Sequence, residues 1–266
     1  MAERLTALVP TKNEERLLGR CLDSVRWADE ILVVDSGSTD RTLDIARAAG
    51  ARILEHEYVD SAAQKNWAIP QARHPWVFLV DADECATPAL QGEIRALLAR
   101  EAGPDKDFYR IGRDTWFFGR RIRRTSFAHD SVARLFRREA GRYENARVHA
   151  SLVEAGLSGG RLRGRLEHRT CEVFDRYMEK FNRYSTCRAF DYRAKGQRAT
   201  WWRMLSRPAW RFFRMYVLQR GFLDGRAGLA LCGLEAAQVF ARLAKLWVLE
   251  RQEAGEEGAE IGRTIW

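Results

Sequence analysis

The spacing of apolar positions changes character along this chain. Over the first hundred residues, short apolar runs alternate with stretches of helical spacing. LTALVP (Leu5–Pro10), ILVVD (Ile31–Asp35), ARILEHEY (from Ala51) and WVFLV (Trp76–Val80) read as strands. WVFLV is apolar throughout, as a strand covered on both faces would be. Between the first two strands, Leu17, Leu18, Cys21, Leu22 and Val25 recur at the three- and four-residue intervals of a helix. RTLDIARAAG reads as a second helix, with SGSTD before it for a turn and cap and Gly50 to end it. A third is predicted over Ala62–Ala72. Pro88, suited to a first turn, opens a fourth that runs to about Arg100.

Strand alternating with helix predicts an α/β fold: a mostly parallel sheet flanked by helices, with ligands outside the carboxyl ends of its strands. Three polar segments stand at such ends: PTKNEE, DSGSTD and DADE. After about residue 105 the pattern becomes one of irregular, antiparallel strands and loops, including FYRIGRDTWFFG, RRIRRTSFAHDSVARLFRR and YENARVHASLV. From about Glu172 it becomes helices rich in arginine and aromatics.

At 266 residues, 46% hydrophobic and 30% charged, the chain is a folded protein able to bury a sizeable core. MAERLTALVP lacks the long apolar region of a signal peptide, and no stretch reads as the roughly 20 apolar residues of a membrane span. The most apolar late segment, AGLALCGL, stops at Glu235. Five scattered cysteines without a CxxC pair argue against a disulfide framework or a zinc site and fit a reducing cytosol.

Charge adds a division. Residues 1–100 carry 12 Lys/Arg and 16 Asp/Glu, a net of −4, and the remainder carries 33 and 20, a net of +13. The basic part would attract a polyanion: nucleic acid, anionic lipid or a phosphorylated glycolipid.

Asp81 and Asp83 form a hard, doubly negative oxygen-donor pair suited to Mg²⁺ or Mn²⁺ held together with substrate phosphates. Alternate strand residues face opposite ways, so one can reach the metal while the other reaches a ribose hydroxyl. A lone DxD is more often a turn cap with a solvated neighbour; two further polar strand ends at the same crevice reverse that balance.

PTKNEE, VVDSGSTDRT, QKNWA and VFLVDADE, in this order and spacing, resemble glycosyltransferase family 2, inverting enzymes of GT-A (Rossmann-like) fold that use nucleotide-sugar donors. The resemblance is to the branch containing lipopolysaccharide-core β-glucosyltransferases. It is strong over residues 5–90 and looser through RLFRR, the Val-His motif near residue 149 and GFLDGRAGL. It implies a catalytic domain over 1–170, with 1–105 as the nucleotide-sugar half and 106–170 as the acceptor half, and a helical, membrane-associating region over 171–266. Carried over by position, Pro10, Thr11, Asn13 and Glu14 would line the nucleoside pocket, and Asp35 and Ser38 would hold the base and ribose side. Gln64, Lys65 and Asn66 would lie near the donor, with Lys65 available to phosphate; Asp83 would bind metal and Asp81 the donor. Ser38 as a helix cap and Asn66 as a backbone tie are the bland alternatives.

The same resemblance places a general base at the Glu of Val-His-Glu, where this chain reads Val148-His149-Ala150. Alanine accepts no proton. Three readings compete: the base has been removed by substitution, which the intact surroundings favour; another carboxylate such as Asp130 or Glu144 serves; or the enzyme is naturally impaired. His149 is a candidate metal ligand or phosphate-orienting group, with a structural histidine as the alternative. Arg120, Arg121, Arg123 and Arg124, amid Trp116, Phe117, Phe118 and Phe127, form either a grip on donor or acceptor phosphates, with Arg123 and Arg124 assigned to the donor, or a solvated basic loop.

In WWRMLSRPAWRFFRMYVLQRGFLDGRAGL, arginines 207, 211 and 214 share one helical face, and Trp210, Phe213 and Val217 a neighbouring one, as in a helix lying in a membrane interface. Packing of these aromatics on the catalytic domain is the alternative. The expectation is a cytoplasmic enzyme, peripheral on the inner face of the cytoplasmic membrane. It would move a sugar such as glucose from a UDP-sugar to a hydroxyl of a lipid-linked saccharide such as lipopolysaccharide inner core, with no nucleic-acid partner. A metal-dependent nucleotidyltransferase and a basic nucleic-acid-binding protein are the competing readings.

Overall fold

The computed structural model describes residues 2–144 and 151–253. The apolar runs form β1 (Leu5–Thr11), β2 (Glu30–Asp35), β3 (Arg52–Glu55) and β4 (Trp76–Leu79), paired in parallel. All four residues of β4 are buried, as expected for a strand covered on both faces. Thr11 pairs with Asp35 in register, so the segments following β1 and β2 leave the sheet at one level. Val80 N–H donates to Leu8 O at 3.0 Å, which brings the end of β4 alongside them.

Beyond these lie β5 (Glu84–Ala86), β6 (Phe108–Phe117), β7 (Arg120–Arg121), β8 (Ser131–Arg137) and β9 (Gly159–Cys171). The sheet runs β3-β2-β1-β4-β8-β6-β9-β5, with β7 paired to β6. It is mixed: β8 is antiparallel to β4 and β6 to β8, as the change of pattern near residue 105 predicts.

Helices α1 (Leu18–Ser24), α2 (Thr42–Ala48), α3 (Ser61–Ala68) and α4 (Pro88–Leu98) flank the sheet. One apolar cluster joins Leu18, Leu22, Phe78, Leu90 and Ile94, and a second joins Ala62, Ile69, Val77, Phe136 and Tyr143. Each buried Leu, Ile or Phe side chain contributes about 1.5–3 kcal/mol by leaving water. Gly164 of β9 has no room for a side chain, since a Cβ there would stand 2.4 Å from Leu90 Cα. The helix expected over 62–72 is shorter than its pattern: α3 ends at Ala68 and a 3₁₀ turn covers Ile69–Gln71, because Pro70 has no N–H for the ladder.

Two compact units form. Residues to Asp114 together with Asp130–Arg169 make the first, and Thr115–His129 with the chain from Thr170 onward make the second. The second contains α5 (Phe174–Ala194), α6 (Trp201–Phe213) and α7 (Gly225–Glu253), with Ala189, Val239, Leu243, Leu246 and Leu249 at its core. No α6 residue is buried; Trp201 is 72% exposed and Trp202 63%. The expectation that nothing approaches a membrane span is corrected here. By length and composition, Gly221–Gln252 is able to cross a bilayer: its most apolar 18-residue window has a mean hydropathy of 1.3, and 28% of that window is buried. Glu235, which interrupts the run in sequence, is paired with Arg211 at 2.5 Å, and Lys245 donates to Asn182, Ser185 and Thr186.

Candidate active site

The loops after β1 and β2 are sewn to each other. Asn13 takes a left-handed conformation (φ 54°), donates its N–H to Ser38 Oγ at 2.8 Å and accepts Thr39 N–H at 2.8 Å. Glu14 N–H donates to Thr42 Oγ1 at 2.8 Å. Asp35 is buried, and its carboxylate accepts from Gly37 N–H, Ser38 N–H and the Ser38 hydroxyl, shaping the turn from within. Ser38 caps no helix; it links Asp35 to Asn13. Thr11 Oγ1, at the carboxyl end of β1, is buried without a hydrogen-bond partner among the described residues.

The DADE turn is held by buried charge. Glu84, fully buried, accepts the Asp81 N–H through Oε2 at 3.1 Å and takes Arg134 at 2.9 Å and Arg113 at 3.1 Å on Oε1. Arg134 also donates to Asp81 Oδ2, and Lys65 Nζ stands 3.8 Å from Asp81 Oδ1. Burial alone would raise the Asp81 pKa, but Arg134 and Lys65 together hold its carboxyl well below the usual carboxylate range. Burial pushes the Lys65 ammonium below its ordinary value against the pull of Asp81. For Arg134 burial opposes the charge, yet Asp81 and Glu84 outweigh it and raise its pKa. Asp81 and Arg134 are thus each held toward the charged form by the other, where an unpaired charge would be costly.

Asp83 faces a different partner. β5 pairs antiparallel with β9 in the register Glu84↔His168, and Arg169 N–H donates to Asp83 O at 2.9 Å. That brings His168 Nε2 to 3.6 Å from Asp83 Oδ2, both side chains being largely buried. The other ring nitrogen, Nδ1, is buried with no hydrogen-bond partner among the described residues. A crevice with a two-acid turn, a carboxylate–imidazole pair and a lysine is equipped to hold a metal-bound diphosphate.

A family model described as glycosyl transferase family 2 matches residues 6–152, more than half of the chain and all of this crevice apart from His168. The lipopolysaccharide core biosynthesis glycosyltransferase LpsC of Rhizobium meliloti is 32% identical over 251 residues, covering 90% of this chain and 92% of that protein. The chain belongs to glycosyltransferase family 2. An uncharacterized glycosyltransferase of Rickettsia typhi is 28% identical over 253 residues, covering 92% of this chain and 87% of that one. Among solved structures, S. aureus TarS 1-349 aligns over 95% of this chain and 92% of its own, at 14% identity and a TM-score of 0.46. A glucosyl-3-phosphoglycerate synthase from Mycobacterium tuberculosis, in complex with Mn²⁺, UDP and glucosyl-3-phosphoglycerate, aligns over 44% of this chain and 45% of its own, at 22% identity and a TM-score of 0.33.

In this glycosyltransferase the first unit gathers Pro10, Thr11, Asn13, Glu14, Asp35 and Ser38 at adjoining strand ends, with Lys65 and the DADE turn beside them. Gln64 reaches the Ser36 hydroxyl at 2.5 Å. Asn66 spends its amide on the Tyr143 backbone, accepting its N–H at 2.7 Å and donating to its carbonyl at 3.0 Å. Arg123 and Arg124 belong to the second unit. His149 and Ala150 lie outside the described residues. Of the substitute bases, Asp130 is committed to Arg113, whose Nε donates to it at 2.8 Å, and Glu144 is exposed. Sequence reasoning missed His168, Glu84 as the anchor of the turn, and Arg134 inside RLFRR. A histidine within a long polar strand carries no spacing signal, and the partners of a buried arginine become visible only once strands pair.

Proposed function

We propose that this family 2 glycosyltransferase moves a sugar, glucose being the first to test, from a UDP-sugar to a hydroxyl of a lipid-linked saccharide of the lipopolysaccharide-core kind. The observation that carries the donor half is the Asp83–His168 pair beside the Arg134-anchored Asp81. The acceptor half is supported by the printed function of the Rhizobium meliloti relative. Family membership sets aside the nucleotidyltransferase and nucleic-acid-binding readings.

The residues present fit a divalent cation. Asp83 supplies a hard carboxylate oxygen and His168 an imidazole nitrogen, a mixed set that Mn²⁺ accepts more readily than Mg²⁺. Among the described residues no third His, Cys, Asp or Glu joins them, which leaves the remaining positions to diphosphate and water. When bound, such a cation would offset the charge growing on the departing diphosphate. Thr11, Asn13, Asp35 and Ser38 would receive the nucleoside, Asp81 the ribose side, and Lys65 a phosphate oxygen. Gln64 and Asn66 hold the surrounding loops, and position 150 marks where the acceptor's proton would be taken.

Trp201, Trp202 and Trp210, all exposed, together with exposed Arg207 on α6 and exposed Arg214 just after it, support a peripheral position on the inner face of the cytoplasmic membrane. A screen of nucleotide-sugars with Mn²⁺ by calorimetry tests the donor reading. UDP-sugar binding alone supports it, and preference for another nucleotide refutes it.

A further inference from the structure

The second unit holds a loop that the donor site leaves unexplained. It leaves β6 through Phe118 (φ 46°) and Gly119 (φ 73°), forms β7 at Arg120–Arg121, and reaches Thr125 at φ 67°. Left-handed backbone at a buried, β-branched threonine is unfavourable unless its surroundings enforce it. The GFLDG turn enforces it. Asp224 accepts the N–H of Arg123 at 3.1 Å on Oδ1 and that of Arg124 at 2.9 Å on Oδ2. Gln219 accepts Ser126 N–H at 3.1 Å. Gly221 admits no side chain, since a Cβ would meet Met215 O at 2.8 Å, Cys232 Sγ at 2.9 Å and Thr125 Cγ2 at 3.1 Å.

What this strap presents to solvent is cationic and apolar. Arg120, Arg123 and Arg124 are exposed, and their guanidinium groups make no ion pair among the described residues. Asp224 spends its carboxylate oxygens on the backbone N–H groups of Arg123 and Arg124. Phe222 is 46% exposed and Leu223 53%, directly before Asp224. At the start of the loop, exposed Phe118 stacks on exposed Phe174 with ring centroids 5.8 Å apart. Arginines without acidic partners beside exposed rings and a leucine match a bilayer interface. The guanidinium forks meet phosphates, and the apolar groups enter just below them.

We propose that the Asp224-held loop is a clamp for the headgroup phosphates of anionic lipid, with Phe222 and Leu223 entering the interface. It deepens the membrane reading above, which rests on α6, by naming a second element and the lipid charge it selects. The test is co-sedimentation of the full chain with phosphatidylcholine vesicles, with and without phosphatidylglycerol. Arg123→Gln/Arg124→Gln leaves intact the N–H groups that Asp224 holds. It is expected to lower partitioning onto the anionic vesicles by about fivefold per arginine, with no change on neutral ones. Asp224→Asn should lower the same partitioning and speed amide exchange at Arg123 and Arg124.

Unchanged anionic partitioning in the arginine pair, with loss in Trp201→Ser/Trp202→Ser, would overturn the clamp while the membrane reading stands. Loss of UDP–Mn²⁺ affinity in the arginine pair, with vesicle binding intact, would assign the loop to the donor instead. Phe222→Ser/Leu223→Ser that dissociates a dimer without altering vesicle binding would make this face a contact between copies, and the proposal would fail.

Discussion

His168 Nε2 stands 3.6 Å from Asp83 Oδ2, carried there by the pairing of β5 with β9. Two residues far apart in sequence thus form a mixed oxygen–nitrogen pair beside a turn that buried arginines hold. The relationship divides the DxD motif by role: Asp81 is bound to cations of the protein, and Asp83 faces the imidazole.

Replacing His168 with Gln should remove the preference for Mn²⁺ over Mg²⁺ and weaken metal-dependent UDP binding by at least about tenfold, since even supporting groups of a metal site are worth that much. Titration of UDP with each cation measures it. An undiminished Mn²⁺ preference would assign His168 to structure.

Arg134 links Asp81 and Glu84, and Glu84 is fully buried. Arg134→Met should destabilise the protein by about 3–5 kcal/mol, the usual cost of removing one partner of a buried ion pair, with Arg113 alone left on Glu84 and Lys65 alone near Asp81. Addition of Glu84→Gln should recover part of the loss. Urea unfolding measures both, and a loss below about 1 kcal/mol in the single variant would show that solvent compensates the pair.

Acid should act through Asp81. Its folded pKa is held below the ordinary value of about 3.9, so the unfolded chain takes up the proton first as pH falls. The stabilisation is complete above about pH 5 and is lost progressively as pH falls below 4 toward the folded pKa. Urea midpoints from pH 7 to pH 3 should therefore fall more steeply for the wild type than for Asp81→Asn. Parallel profiles would contradict the assignment.

Ala150→Glu should raise the transfer rate by about 10²–10⁴-fold, the range over which a positioned general base acts. The rise should appear in turnover with little change in UDP affinity, because donor binding does not use that carboxylate. A rate that does not move would place the base elsewhere.

Much of this was legible in the chain. The all-apolar WVFLV run predicted a strand buried on both faces, because that is a local pattern, and the segments after β1 and β2, two of the three polar strand ends, are bonded to each other. The shortening of α3 was also written in Pro70, although the apolar spacing of 62–72 ran past it. His168 and Arg134 were not legible, since strand register decides their neighbours and no local spacing records it. The membrane-length helix was missed for a related reason: a charge that ends an apolar run in sequence is offset in space, as Glu235 is by Arg211.

Calorimetry of UDP binding to the full chain, with and without Mn²⁺, against the same titrations of Asp83→Ala, tests the donor site most directly. The expected result is binding that needs the metal in the wild type and disappears in the variant. UDP binding that ignores Mn²⁺, or that survives unchanged in Asp83→Ala, would contradict it.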